Sequence, residues 1–344
     1  SKKARAPQAL QAVIDQTLPD ATEQAMAAVL SEAKQGTVLL GLAAGMHPAF
    51  STLRALAALI AELSGTKLGF LSDGANSAGA CLAGVLPHRS AGGQARENPG
   101  LTAAEMIAQP LKNYLLLGIE PEFDCADGAA ALAAMQQAEL VVALTPFMTE
   151  RMRDYADVLL PVNCFSETSG TLVNCEGRRQ SFAAVSRAPG ASRPGWKVLR
   201  VLANLLELDG FEQTSSEQVR DSLSQGEVEV DNSAHGEFVG YLKTSGGLQR
   251  IAYLPMYAVD ATLRRAAALQ RTSDGEVEQV CLNPADASRL GLEDGDRAVV
   301  LQNDQEADLD VVVTERIAEG SVLLAHAIET TFELGAPFAS VQLK

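Results

Sequence analysis

Residues 156–180 read ADVLLPVNCFSETSGTLVNCEGRRQ, and this segment gives the clearest indication of the fold. Its apolar run from Val158 to Leu160 predicts a buried strand that Pro161 ends. The polar loop that follows carries a carboxylate, several hydroxyls, two glycines and two arginines. Open α/β sheets bind ligands at the carboxyl ends of their parallel strands. The loop is therefore either a cofactor-binding loop or a polar connection that binds nothing, and residue types alone favour the connection.

Upstream of this stretch, short apolar runs alternate with helical segments. Apolar runs at 37–42, 67–71, 114–119 and 140–144 predict four further strands. Asp20 is placed to cap a helix through Lys34, and an Ala- and Leu-rich helix is expected from Pro48 to Leu63. Strands that alternate with helices form parallel sheets. We therefore predict a Rossmann-like parallel sheet of about five strands with flanking helices, over about residues 36–160.

The pattern changes near Gln279 to short strands separated by tight turns. Apolar runs at 280–282, 298–302, 309–313 and 321–324, separated by turns at 293–296, at Asn303-Asp304 and at 318–320, predict a small β-barrel. The polar stretch 212–250 has little periodicity and reads as a helix-containing linker. The predicted domains are thus 1–211 (α/β), 212–270 (linker and connecting helix) and 271–344 (barrel).

Composition excludes several classes of function. The chain has 344 residues and a net charge of −16 without a clustered basic face, which argues against a nucleic-acid partner. No apolar run is long enough to span a bilayer, and no signal peptide opens the chain. The sequence begins in mid-pattern without a methionine, so we expect a fragment of a longer protein.

No catalytic or metal constellation is visible. The five cysteines show no CxxC spacing, which argues against a disulfide framework and against a zinc or iron–sulfur site built from this chain. The four histidines lie far apart, and no Ser–His–Asp grouping can be argued from spacing. No GxGxxG follows the first strand, which argues against a simple nucleotide-binding dehydrogenase. We therefore predict no catalytic residue and no metal ligand.

Several motifs, taken together, resemble one family. The block ADVLLPVNCFSETSGTLVNCEGRRQ resembles the corresponding loop of molybdopterin oxidoreductases. GANSAGA, LLLGIEPE and LVVALTPFMTE match further stretches of that family's α/β domain in the same order. NPADASRLGLEDGDRAVV resembles the opening of its dinucleotide-binding domain. The resemblance implies an α/β domain followed by a double-psi β-barrel.

One branch of the family fits best. LPMYAVDATLRRAAALQ looks like a segment of the largest hydrophilic subunit of bacterial respiratory NADH–quinone oxidoreductase (complex I). This resemblance implies a cofactor-free structural portion, inactive alone, of a subunit that supports electron transfer from NADH to quinone through iron–sulfur clusters held in a missing N-terminal part. It implies the other hydrophilic subunits of complex I as partners, and a cytoplasmic, peripheral location on the inner face of the cell membrane. Glu176 and Arg178 would then pair as an internal brace.

The alternative is a fragment that binds molybdopterin guanine dinucleotide. Arg178 and Arg179 would contact pyrophosphate, and Glu167 or Asp157 would hold guanine or ribose. The small residues after the second strand would let the backbone approach a second nucleotide. The complete set of candidate cofactor-binding residues under this alternative is Gly74, Asn76, Ser77, Gly79, Glu167, Thr168, Asn174, Glu176, Arg178 and Arg179.

Overall fold

The structure is a computed structural model that describes residues 18–72, 74–223 and 247–344. Contacts divide the chain into two compact units, Ser1–Ser77 with Glu229–Lys243, and Ala78–Val228 with Thr244–Lys344. Residues 1–17 and most of the polar stretch 212–250 lie outside the described residues. No helix in the described part of the chain is long and apolar enough to cross a bilayer.

The first unit contains a parallel β–α–β arrangement. Helix α1 begins after Asp20, whose carboxylate accepts from the Glu23 N–H at 2.7 Å while the Glu23 carboxylate accepts from the Asp20 N–H. This reciprocal capping satisfies two N–H groups that the helix leaves unpaired. Strands β1 and β2 pair in parallel, and Gly65 ends the helix between them with φ +74°. The elements are α1 Ala21–Glu32, β1 Thr37–Leu40, α2 Leu42–Met46, α3 Phe50–Ser64 and β2 Lys67–Phe70.

The α/β part of the second unit has a three-stranded parallel sheet in the order β3-β4-β5. One face of the sheet is buried by Tyr114, Leu116, Val141 and Ala143, which pack on Met152 and other residues of the crossing helices. The elements are α4 Ser77–Leu82, α5 Ala103–Ala108, β3 Asn113–Leu117, α6 Pro121–Asp124, α7 Gly128–Gln137, β4 Leu140–Thr145, α8 Glu150–Tyr155, β5 Val158–Pro161, β6 Gly170–Val173, β7 Arg179–Phe182, α9 Gly195–Leu205 and α10 Ser216–Leu223.

The C-terminal part of the same unit is a closed barrel of six strands, ordered β10-β11-β9-β12-β8-β13. Its interior is filled by aliphatic side chains such as Val280, Leu282, Val300, Leu309 and Leu324. Closure leaves no free sheet edge. The elements are β8 Leu248–Tyr253, α11 Ala261–Arg264, α12 Ala267–Gln270, β9 Gln279–Leu282, α13 Pro284–Leu290, β10 Arg297–Gln302, β11 Gln305–Val313, β12 Ser321–Ala325 and β13 Ser340–Leu343.

The predicted fold class, a parallel α/β sheet with flanking helices plus a small barrel, is confirmed. Two details differ. The five predicted parallel strands are present but hydrogen bond as one two-stranded and one three-stranded sheet. The barrel also recruits β8, which lies inside the segment read as a linker, because its alternate side chains Leu248, Arg250 and Ala252 all point into buried space. An arginine at a buried strand position conceals the alternation in the sequence.

A polar cluster is buried inside the barrel. Arg250 is fully buried, and its guanidinium donates to the side-chain oxygen of Gln302 at 3.1 Å and to the Gly335 carbonyl at 3.3 Å. A guanidinium is only a donor, so His326 Nδ1, 3.5 Å from Arg250, must be the acceptor. Burial, with the nearby Arg250 charge, lowers the pKa of His326 to about 4. The imidazole is therefore neutral in the folded protein at neutral pH.

This buried imidazole predicts acid sensitivity. The pKa of His326 is lower in the folded protein than its ordinary value of 6.5. As the pH falls, His326 is therefore protonated in the unfolded chain before it is protonated in the folded protein. The stabilisation is fully present above pH 6.5 and is lost as the pH falls towards 4. We expect the second unit to lose on the order of 3 kcal/mol across this interval. Urea unfolding followed by fluorescence of Trp196, the only tryptophan in the chain, measures this loss.

The matched control is His326→Asn, whose amide can still accept from Arg250 but does not titrate. We expect this variant to lose most of the pH dependence. Burial raises the pKa of Glu122, so its contribution has the opposite sign and persists in both proteins. Equal pH dependence in wild type and variant would show that His326 does not carry the effect.

Candidate functional site

The loop that the sequence singled out is an ordered hairpin. After β5 the chain makes a short 3-10 turn at Phe165–Glu167 and then forms the antiparallel pair β6–β7. The Glu167 carboxylate accepts from the Cys164 N–H at 3.0 Å, and the Glu167 carbonyl accepts from the Asn163 amide at 2.7 Å. Thr168 follows directly, and its hydroxyl donates to the Ser169 carbonyl. Glu167 thus fixes the approach to the hairpin.

The hairpin tip is shaped by Asn174. Its side-chain oxygen accepts from the N–H groups of Glu176 and Arg178 at 3.1 Å and 2.9 Å, and Gly177 takes φ +79°. Glu176, Arg178 and Arg179 are exposed, and no ion pair joins Glu176 to Arg178. The internal brace expected from these two residues is therefore not formed. The turn instead presents guanidinium groups to solvent.

The small residues after β2 adopt a tight turn that leads into α4. The Ser77 hydroxyl donates to the Gly74 carbonyl at 3.0 Å. Gly74, Asn76 and Ser77 belong to the first unit and Gly79 to the second. Among the ten candidate residues, the structure thus gathers Asn174, Glu176, Arg178 and Arg179 on one hairpin.

A separate cleft of about 940 Å³ opens within the second unit. None of the ten candidate residues lines it. One wall comes from α6 and α8, which follow the carboxyl ends of β3 and β4, and the opposite wall comes from the segment between β8 and β9 and from barrel loops. Its charged lining residues are Glu120, Glu122, Glu150, Arg151, Asp154, Arg264, Arg265, Glu276, Glu278, Asp310 and Glu329.

An ion-pair network ties the two walls together. Arg264 donates to Glu120 at 3.0 Å and to Asp124 at 3.0 Å, and Arg265 also pairs with Glu120. The side chain of Glu120 is only 2% exposed and that of Arg264 only 11%. Arg264 also donates to the Ala258 carbonyl and lies over the Phe123 ring. Because both charges are buried and hydrogen bonded, this contact fixes the geometry of the cleft.

A second contact between the walls is made by Arg151. Its guanidinium pairs with Glu329 in a two-pronged arrangement and lies 4.5 Å from the centre of the Phe332 ring. The Glu329 bond raises the pKa of Arg151, so this side chain stays charged. All three arginines of the cleft are thus already bound to carboxylates.

Glu122 lies in the lining of the cleft and is 1% exposed. Neither of its carboxylate oxygens hydrogen bonds with another residue in the described part of the chain. Burial raises the pKa of Glu122; its own backbone N–H and Arg151 lower it, while Glu120 and Asp124 add to the rise. A buried carboxylate without a hydrogen-bond donor costs stability and calls for an explanation.

The cleft residues were not recognised as a site from the sequence. LLLGIEPE and LRRAAALQ drew attention only as family-like blocks, although they contain Glu120, Glu122, Arg264 and Arg265. The acidic residues after β3 and the double arginine between β8 and β9 are the signal that was present. The sequence does not show that Glu120 and Arg264 are in contact, because they lie 144 positions apart in the chain.

Two family profiles match the chain on the two folds just described. The profile "Molybdopterin oxidoreductase" matches residues 10–205, and "Molydopterin dinucleotide binding domain" matches residues 252–338. The first covers more than half of the chain. The protein therefore belongs to the molybdopterin oxidoreductase family, with its barrel similar to the dinucleotide-binding domain.

Curated relatives include two kinds of protein. The alpha subunit of the F420-dependent formate dehydrogenase of Methanocaldococcus jannaschii is 24% identical over 328 residues, which is 77% of this chain and 49% of the relative. The mitochondrial 78 kDa subunit of NADH-ubiquinone oxidoreductase of Candida albicans is 46% identical over 52 residues, which is 15% of this chain and 7% of the relative. The chain therefore spans half or less of the length of either relative.

Acetylene hydratase from Pelobacter acetylenicus has a similar fold. The structures share a TM-score of 0.54 at 15% sequence identity, covering 78% of this chain and 50% of the hydratase. At this identity the similarity concerns the fold alone.

The expectation that this region is cofactor-free is wrong. Both matching profiles describe molybdopterin-associated domains and point to a molybdopterin cofactor here. The donors of the β6–β7 hairpin fit such a phosphate-bearing group, because Arg178 is exposed and no carboxylate of the described residues pairs with it. The arginines of the cleft do not fit a phosphate-bearing group, because each is already bound to a carboxylate.

Proposed function

We propose that the chain is the α/β and barrel portion of a longer oxidoreductase subunit that carries a molybdopterin dinucleotide and takes part in electron transfer. The main support for this proposal is that two family profiles match the two folded parts of the chain. The oxidoreductase profile covers both parallel sheets, and the dinucleotide-binding profile covers strands β9 to β12 and part of β8. When bound, a molybdopterin supplies the redox-active metal centre that a polypeptide of this composition lacks.

The role of this chain's own residues is to hold and orient the cofactor. Arg178 and Arg179 would donate to pyrophosphate oxygens, for which a planar guanidinium is well suited. Asn174 and Gly177 set the turn that presents these arginines, and Glu167 holds the base of the hairpin. Backbone around Gly79, which lies in the same unit as the hairpin, would approach the nucleotide closely, because glycine lacks a Cβ.

For the larger assembly, we propose the largest hydrophilic subunit of a complex I-type NADH–quinone oxidoreductase. The support is local identity to mitochondrial complex I subunits, 46% over 52 residues and 42% over 57 residues. In this assembly the iron–sulfur clusters would reside in a preceding part of the protein. The other hydrophilic subunits would be its partners, and the complex would place it at the inner face of the cell membrane.

A formate dehydrogenase- or nitrate reductase-type catalytic subunit is the second candidate. It is favoured by the longer match, 24% identity over 77% of this chain, and by 27% identity to the assimilatory nitrate reductase of Bacillus subtilis over 154 residues. Co-purification separates the two candidates. A complex I assembly predicts stoichiometric hydrophilic partner subunits and NADH–ferricyanide activity. A catalytic subunit of the second kind predicts activity on formate or nitrate without those partners.

We expect the full-length protein, purified from its natural source, to carry about one pterin and molybdenum or tungsten per chain. The measurement is metal analysis with pterin fluorescence after oxidation. Replacing both hairpin arginines, Arg178→Ala with Arg179→Ala, should lower pterin retention at least about tenfold, because each charge-assisted bond to phosphate contributes roughly 1.5–3 kcal/mol.

The matched control is Arg187→Ala, another exposed arginine of the same region that lies outside the hairpin. Both proteins should unfold at the wild-type temperature when the pterin is removed, since exposed side chains contribute little to stability. Pterin-free full-length protein, or equal pterin retention in both variants, would contradict the proposal.

A further inference from the structure

Helix α9 carries large apolar side chains on its outer face. Val201 is 47% exposed, Leu205 is 77% exposed, and Leu208, just past the end of the helix, is 52% exposed. Val201 and Leu205 lie one turn apart on one side of the helix, and buried Ala203 lies on the opposite side. Exposed apolar side chains that share one face of a helix indicate a surface that packs against a partner.

The chain leaves α9 through a turn that carries two carboxylates. The Leu208 N–H donates to the Ala203 carbonyl at 3.0 Å and the Glu207 N–H donates to the Asn204 carbonyl at 3.1 Å, which is the pattern of a Schellman cap. Glycine usually takes the left-handed position of this cap, but here the position holds Glu207, with φ +57°. Glu207 and Asp209 are both exposed, and neither forms an ion pair with another described residue.

The charges at the two ends of α9 oppose the dipole of the helix. Lys197 lies in the first turn, where a helix is positive, whereas Glu207 and Asp209 follow the last turn, where it is negative. Lys197 is exposed, its ammonium lies 5.3 Å from the centre of the Trp196 ring, and it pairs with no carboxylate of the described residues. A neighbour that brings the opposite charge to each end of the helix would remove this penalty.

We propose that α9 of one copy of the chain packs antiparallel against α9 of a second copy. A two-fold axis at the level of Ala203 places Val201 of each copy opposite Leu205 of the other, because these two residues lie equally far from Ala203 along the chain. The same axis places Lys197 of each copy beside Asp209 of the other, with Glu207 close by. Antiparallel helices also set the positive end of each dipole beside the negative end of the other.

The self-complementary pattern of this face is the reason for choosing a second copy as the partner. A two-fold interface uses the same patch on both subunits, so the patch must match itself after rotation. Apolar residues at the centre, a cation at one end and carboxylates at the other meet this condition. The inference depends neither on the bound cofactor nor on which of the two candidate subunits the chain belongs to.

Sedimentation equilibrium of the full chain over roughly 1–300 μM tests the proposal, because a contact centred on one pair of helices is small and therefore weak. We expect a reversible equilibrium between monomer and dimer. Leu205→Glu should weaken the dimer at least about tenfold, because it places two carboxylates in the apolar centre. Val185→Glu is the matched control. Val185 is 85% exposed and lies outside α9, so this variant should dimerise as wild type does.

Charge reversal tests the antiparallel arrangement. Lys197→Glu in one protein, and Glu207→Lys with Asp209→Lys in another, each bring like charges together at both ends of the dimer. Each protein alone should dimerise at least about tenfold more weakly than wild type, whereas an equimolar mixture should form a heterodimer. Each change agrees with the dipole of its own helix, so both proteins should fold, which the fluorescence of Trp196 verifies.

Three results would overturn the proposal. A wild-type chain that stays monomeric over the whole range would leave this face of α9 to a different protein. Equal weakening by Leu205→Glu and Val185→Glu would show that the dimer does not use α9 specifically. A mixture of the two charge-reversed proteins that forms no heterodimer would show that the helices do not pair in the antiparallel arrangement.

Discussion

Arg264→Ala is expected to destabilise the second unit by about 3 kcal/mol or more, the range measured when one partner of a buried ion pair is removed. Arg264 bridges Glu120 and Asp124, donates to the Ala258 carbonyl and packs on Phe123, so truncation removes all these contacts together. Arg265 remains on Glu120 and offsets part of the loss. Urea unfolding followed by Trp196 fluorescence measures the effect in the second unit, to which this tryptophan belongs.

The matched control is Arg297→Ala. Arg297 also bridges two carboxylates, Asp308 and Asp310, but its side chain is 57% exposed. An exposed pair contributes far less than a buried one, since water screens it. A loss in Arg264→Ala no larger than in Arg297→Ala would mean that the network does not hold the cleft walls together.

Gly128→Ala is expected to cost about 2–3 kcal/mol through overpacking. A Cβ at this position would lie 2.1 Å from the Glu122 carbonyl oxygen and 3.3 Å from the Phe332 carbonyl oxygen. These are backbone atoms, so relief requires movement of α6 or of the Phe332–Leu334 turn. Alanine favours a helix over glycine by about 1 kcal/mol, so a net loss of stability reports the clash directly.

Gly195→Ala is the matched control for this substitution. It also lies at the start of a helix in the second unit, but its added Cβ would meet only the flexible tip of Leu117, at 3.1 Å. We expect a change within about 1 kcal/mol. A stabilised Gly128→Ala protein would show that α6 and α7 are packed less closely than the structure indicates.

Much of the fold was predictable because local patterns and tertiary structure agree. The run ending at Pro161 is a strand, Asp20 caps a helix, and the β10–β11 hairpin lies where alternating residues and the Asn303-Asp304 turn predicted it. The β6–β7 hairpin was missed because β7 reads Arg-Gln-Ser-Phe, a polar run with no buried face to create alternation. Strand β8 was missed because buried Arg250 breaks the apolar pattern.

The sites differ in how far the sequence could locate them. The hairpin arginines could be found because they adjoin one another in a distinctive block. The cleft could not be located, because its charged residues come from six separate stretches of the chain and their effect depends on how they pair. Only the fold shows that Glu120 is neutralised while Glu122, two positions later, is not. Burial and pairing of charges depend on long-range contacts that no local pattern encodes.

The order of strands in the barrel has a consequence for biosynthesis. Strand β8 pairs in parallel with β12 and antiparallel with β13, yet residues 254–320 separate it from the nearer partner. During translation β8 leaves the ribosome long before either neighbour exists, whereas β3, β4 and β5 emerge in quick succession. Distant pairings of this kind fold slowly. The nascent barrel therefore passes through a stage with unpaired strand edges, at which chaperones can bind and aggregation competes with closure.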